Sequence, residues 1–220
     1  MNKSKNETAA QVREATVRAL LQQYACPAAY HQVRAQFLGA IASPAGVSAM
    51  TEMQRLWGGQ LPTFANINAA NAFMAALVMG LWNQLTRHSE PGSPMSLTKI
   101  EHNANETMLR LLAQTRMEEI AAFLSGFYAG HGSVQVPEDI GHALDVLAQL
   151  GGMFEGTVNL PKEPDTKKYR AEIASILVNL DQLTEIAEIE MHRISVSAAA
   201  LRASGPHAQA PKRTTHCSLY

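Results

Sequence analysis

The sequence predicts an all-α protein, a multihelical bundle or array that ends in one long C-terminal helix. Three observations point that way. Apolar residues recur at spacings of three and four in most segments between breakers. Abundant alanine with only 6% aromatic residues favours packed helices over a β-sandwich. Residues 167–203 read as a single unbroken helix. With 220 residues, 46% of them hydrophobic, the chain can bury a substantial core. It divides into a helical domain over 1–157, a linker and long helix over 158–203 that packs on that domain or dimerises, and a polar tail over 204–220 read as disordered.

The elements follow in order. Thr8-Ala9-Ala10-Gln11 has capping-box spacing and opens a first helix carrying Val12, Thr16, Leu20 and Tyr24, ended by Pro27. A second helix spans 29–42 and stops at Ser43-Pro44, because a residue before proline is pushed out of the helical region. Ser48 caps a short helix with Met50, Met53 and Trp57 on one side, stopped by Gly58-Gly59. Leu61-Pro62-Thr63-Phe64 is an extended turn. From Asn66 or Asn68 to about Arg87 apolar residues lie all round, which predicts a central buried helix in which Ala76 and Gly80 admit a neighbouring backbone. An extended piece is expected over 95–100. Met117, Ile120, Ala121, Leu124, Phe127 and Tyr128 form one helical face, with Gly130 and Gly132 as stops. Pro137-Glu138-Asp139 opens the next helix, acids first as the helix dipole prefers, and Gly151-Gly152 interrupts or ends it. In the last helix, Ile173, Ile176, Leu180, Leu183 and Ala187 form a short coiled-coil-like seam. That seam packs along its own domain or, alternatively, forms a homodimer.

Charge and cysteine usage narrow the function classes. A formal net charge of −1 creates no global pull toward nucleic acid or anionic membrane. Two cysteines, Cys26 and Cys217, cannot build a disulfide framework or a four-cysteine zinc site. The most apolar run, 69–82, is shorter than the roughly 20 residues of a membrane span and contains Asn71. The N-terminus lacks an apolar signal-peptide core. The expected location is the cytoplasm.

Three stretches resemble a known family. Phe37-Leu38-Gly39-Ala40-Ile41-Ala42-Ser43 is the first; Leu56-Trp57-Gly58-Gly59 with Pro62, Phe64 and then Trp82-Asn83 is the second; Phe123-Leu124-Ser125-Gly126-Phe127-Tyr128-Ala129-Gly130 is the third. In order and spacing these resemble the YecA/YgfB-like family of bacterial proteins. Ala35-Gln36 stand where the family usually has Asp-Gly, and His216-Cys217 replace its cysteine-rich zinc-binding tail. The resemblance implies a multihelical bundle that binds protein partners or regulates, with no enzymology and no carried-over zinc.

No catalytic constellation emerges. Trp57-Gly58-Gly59 reads first as a helix end that needs φ > 0, with the indole over exposed backbone. Its functional alternative is a partner-binding surface made by Trp57, Trp82 and Phe64. His131 and His142 flank Glu138 and Asp139, but the spacing matches no metal motif. Glu185, Glu188 and His192 lack the Glu-x-x-His of a di-iron bundle, and Glu188 with His192 reads as a solvated i,i+4 contact. Gly130-His131-Gly132-Ser133 lacks the lysine of a phosphate loop, and Cys26 reads as an inert thiol. The expected function is therefore a non-enzymatic interaction or regulatory module with an unknown protein partner, no cofactor, no membrane and no nucleic acid. A metal-dependent protein using His131 and His142, or a nucleic-acid-associated regulator, are the alternatives.

Overall fold

The computed structural model describes residues 2–101, 103–129, 133–161, 166–204 and 212–216. The fold is an all-α array ending in a long helix, as the sequence predicts. Helix α1 spans Asn2–Gln23. It starts before Thr8, because nothing in 2–7 breaks a helix, so the capping-box motif lies inside it. Helix α2 (Tyr30–Ala42) begins at Ala29, whose N–H donates to the Gln32 side chain at 2.7 Å. Helix α3 (Ala49–Leu56) is capped by Ser48, which accepts from the Thr51 N–H at 3.1 Å. It ends where Gly58 and Gly59 take φ of 73° and 104°, values only glycine adopts without strain.

Helix α4 (Ile67–Met74), capped by Asn66, runs into a π-helical stretch over Ala75–Trp82, then α5 (Asn83–Leu85) and a 3₁₀ turn over Thr86–Ser89. The expected central helix is not found here. Only the row Phe73, Leu77, Leu81 and Leu85 is buried, while Met79 stands 70% exposed. The central element is α2 instead, buried over Phe37, Leu38, Gly39, Ala40, Ile41 and Ala42.

Residues 95–100, where an extended piece is expected, belong to no helix or strand. Helix α6 (Glu106–Tyr128) is capped by Asn105 and ends on Ala129, which sits at φ 50°. Alanine, not the expected Gly130, therefore occupies the left-handed cap, where a Cβ costs about 1–2 kcal/mol. Ala129→Gly is expected to raise stability by about 0.5–1 kcal/mol, read as a higher denaturation midpoint.

Strand β1 (Ser133–Pro137) leads into α7 (Glu138–Val158). Gly151 and Gly152 do not interrupt α7, since Leu147, Leu150 and Phe154 are buried on either side and offset the roughly 1 kcal/mol each glycine costs. Helix α8 spans Lys167–Ser204. The tail expected to be disordered forms β2 over Lys212–His216, antiparallel to β1 with Val134 opposite Thr215. The β-branched pair Thr214-Thr215 finds an open edge there. The rest of the tail lies outside the described residues.

One apolar core runs from Val17 on α1 to Ala198 on α8. Helix α8 delivers Ile173, Leu177, Leu180, Ala187, Met191 and Ile194 to it, so its inner face packs along its own domain. The α2–α6 contact is the most extensive in the molecule. It is made by glycines on both sides. A Cβ added at Gly39 would lie 1.9 Å from the Phe123 carbonyl oxygen, and one at Gly126 2.0 Å from that of Gln36. The close backbone approach expected at Gly80 occurs here. At Gly80 a Cβ would meet only the carbonyl of Ala75 in its own helix.

Candidate functional site

Trp57, Phe64 and Trp82 are all half-buried and take structural contacts. Trp57 Nε1 donates to the Tyr24 carbonyl at 2.8 Å, tying the end of α3 to the end of α1. Its ring meets fully buried Phe73 edge-on at 5.4 Å, and Phe64 packs on the same Phe73 at 5.1 Å. Trp82 lies elsewhere, edge-on to Phe37 at 5.2 Å. Phe73 thus gathers two of the three, and Trp82 packs on α2 through Phe37.

His142 is exposed on α7, and His131 lies outside the described residues. No group of three or more His, Cys, Asp or Glu among the described residues is placed to hold a metal ion. Cys26 is half-buried, and burial pushes its thiol up. Glu188 and His192 do not form the expected solvated contact. Glu188 accepts the Leu97 N–H at 2.7 Å, and His192 places Nδ1 3.1 Å from the His88 carbonyl and Nε2 3.4 Å from that of Pro91, so that its ring N–H donates to one of the two. Both hold the 86–98 segment against α8.

His88 in that segment is pushed down by burial, with Arg34 and His192 adding to the shift and its bond to the Ser93 carbonyl opposing it. A histidine that resists protonation in the fold contributes stability above its ordinary value of 6.5, and that contribution is lost as pH falls through the lowered one. The melting temperature is expected to fall on acidification below 6.5, and to fall less in His88→Gln.

The least expected feature is a buried ionic network. Arg116 and Glu119, both buried on α6, pair at 2.6 Å. Arg116 also donates to the Thr98 carbonyl at 2.8 Å and to Thr184 Oγ1 at 3.1 Å. Glu119 takes the Thr98 N–H at 2.8 Å with its other oxygen. With Glu188 on Leu97 and Arg34 on the Ser96 carbonyl at 2.6 Å, four charged side chains take up backbone groups of this segment. Burial raises Glu188, against the Leu97 N–H and the Arg116 charge that favour its ionised form. A second cluster joins α3 to the α2–α6 contact. Fully buried Glu52 takes Gln36 at 3.0 Å and Arg55 at 2.7 Å, and Arg55 reaches Ser125.

The pinned segment forms one wall of a cleft of about 680 Å³, whose other walls come from α1, Tyr30 and the π-helical stretch. Among the described residues four cations line it, Arg13, Arg18, Arg34 and Lys99, against one carboxylate, Glu14. Arg18 pairs with Glu14 at 2.7 Å and lies 4.5 Å over the Tyr30 ring. Val17, Ala75, Ala76 and Met79 supply apolar surface. None of this was expected from the sequence, since the four cations come from three separated segments.

A second surface lies on the outside of α8. Val178, Ile186 and Ile189 are 57%, 41% and 62% exposed, and their offsets of eight and three place them on one stripe. Among the described residues no helix is long and apolar enough to cross a membrane. No family model, curated protein or solved structure matches the chain.

Proposed function

We propose that the protein is a non-enzymatic, cytoplasmic interaction module with a regulatory role, of the YecA/YgfB-like kind, and that it meets its partner through the outer face of α8. The exposed β-branched stripe on that helix carries the reading. The inner face of α8 is already covered by the core, so an apolar outer face is surplus to folding. Magnitudes set the kind of contact. Three such side chains yield about 2 kcal/mol each when fully buried. Association costs about 4–15 kcal/mol, so this stripe supports a transient contact, as regulation requires.

A second copy of the chain is the first occupant to test. Ile189→Glu is expected to abolish concentration-dependent self-association in sedimentation, or capture of a partner, with a stability change within about 0.5 kcal/mol because the site is exposed. Unaltered association in Ile189→Glu and Val178→Glu would rule the surface out.

A further inference from the structure

We infer that the cleft between α1 and the π-helical stretch is a binding site for a small amphipathic organic anion, a carboxylate or phosphate on an apolar body. This inference is independent of the α8 surface. Three observations converge on it.

The first is size. About 680 Å³ lies inside the roughly 300–1,000 Å³ range of small-molecule sites.

The second is charge. Among the described residues four cations face one carboxylate, in a chain whose net charge is −1, so positive potential is concentrated here against the average. Glu14 already bonds Arg18, and with Arg13 set aside Arg34 and Lys99 still leave the balance of the described lining positive. Arg18 is braced on the Tyr30 ring, and Arg34 is braced by the Ser96 carbonyl. An anion entering between them meets donors whose positions are set beforehand.

The third is the wall. The 96–99 segment is fixed by side chains from three helices, with Arg34 on Ser96, Glu188 on Leu97, and Arg116 and Glu119 on Thr98. Opposite it, the backbone widens to π-helical geometry, a rare form that is frequent at functional sites. That stretch turns Met79, 70% exposed, and the small side chains of Ala75 and Ala76 toward the cleft. Methionine is soft enough to fit an irregular apolar body. A bare inorganic anion would leave this apolar surface unused, and a neutral apolar molecule would leave the cations unused.

The probe pair is anilinonaphthalene sulfonate, which joins an apolar ring system to one anion, and its uncharged relative phenylnaphthylamine. Fluorescence titration of the intact protein is expected to show the sulfonate binding at one site, more weakly as salt rises, with decanoate displacing it. Lys99→Glu is exposed enough to spare the fold, and should weaken the sulfonate roughly tenfold, the effect of losing one charge-assisted bond. Met79→Asp should weaken it as much, while Lys99→Arg should bind as the parent does. Thermal melts of each variant separate loss of binding from loss of fold.

Equal binding of the uncharged relative, or unchanged binding in folded Lys99→Glu, overturns the inference. So does displacement by inorganic phosphate or single-stranded RNA where decanoate fails.

Discussion

Gly126→Ala is expected to lower the melting temperature by about 10 °C, which is roughly 3 kcal/mol for a chain of this size. The added Cβ would stand 2.0 Å from the Gln36 carbonyl oxygen and 2.9 Å from the Ala40 nitrogen. Both are backbone atoms of the central helix and cannot rotate away, so the cost falls at the upper end of about 1–3 kcal/mol for overpacking. Two effects compete here, because alanine is also the better helix former by about 1 kcal/mol. Gly152→Ala on α7 isolates that second effect. Nothing lies within 4 Å of its added Cβ, so it should stabilise. Gly39→Ala should resemble Gly126→Ala, since its Cβ would strike the Phe123 carbonyl at 1.9 Å. A Gly126→Ala protein as stable as the parent would mean that the two helices can separate freely.

Glu119→Leu is expected to cost about 3–5 kcal/mol, because it leaves Arg116 buried without its counter-charge. It also strips the Thr98 N–H of its acceptor. Denaturant titration measures the loss, and amide exchange over 95–100 should rise with it. The double variant Arg116→Met, Glu119→Leu distinguishes two roles for the pair. Replacing a buried ion pair by apolar groups is often neutral, so full recovery would mean that the pair serves only itself. Partial recovery is expected, since the N–H and carbonyl of Thr98 still lack partners. Glu119→Gln keeps an acceptor for Thr98 and should fall between parent and Glu119→Leu.

Helix boundaries were readable where local chemistry decides them. Ser48 and Asn66 cap their helices with side-chain oxygens, and Gly58 and Gly59 take the positive φ that their position demanded. Burial was less readable. On α6 the expected face holds at Ile120, Phe127 and Tyr128, which are buried, but not at Ala121, which is exposed, because Arg116 and Glu119 occupy the inward row beside Leu112 and Phe123. On α8 the expected seam named Ile176 and Leu183, which are half-buried, and missed fully inward Leu177. An apolar π-helical stretch reads as a core helix until its neighbours are known. The cleft was out of reach for a related reason. Arg13, Arg34 and Lys99 acquire a common purpose only through the tertiary path that brings α1, α2 and the pinned segment together.

The reach of α8 back across the molecule bears on how the protein is made. Arg202, at its far end, donates to the Ser43 carbonyl at 2.9 Å, and the helix supplies a row of residues to the same core as α2. During synthesis α2 and α6 can meet early, but the apolar ground that α8 covers stays bare until that last helix has left the ribosome. For that interval the nascent chain presents sticky surface. Its safe passage therefore depends on fast docking of α8 or on a chaperone holding the gap.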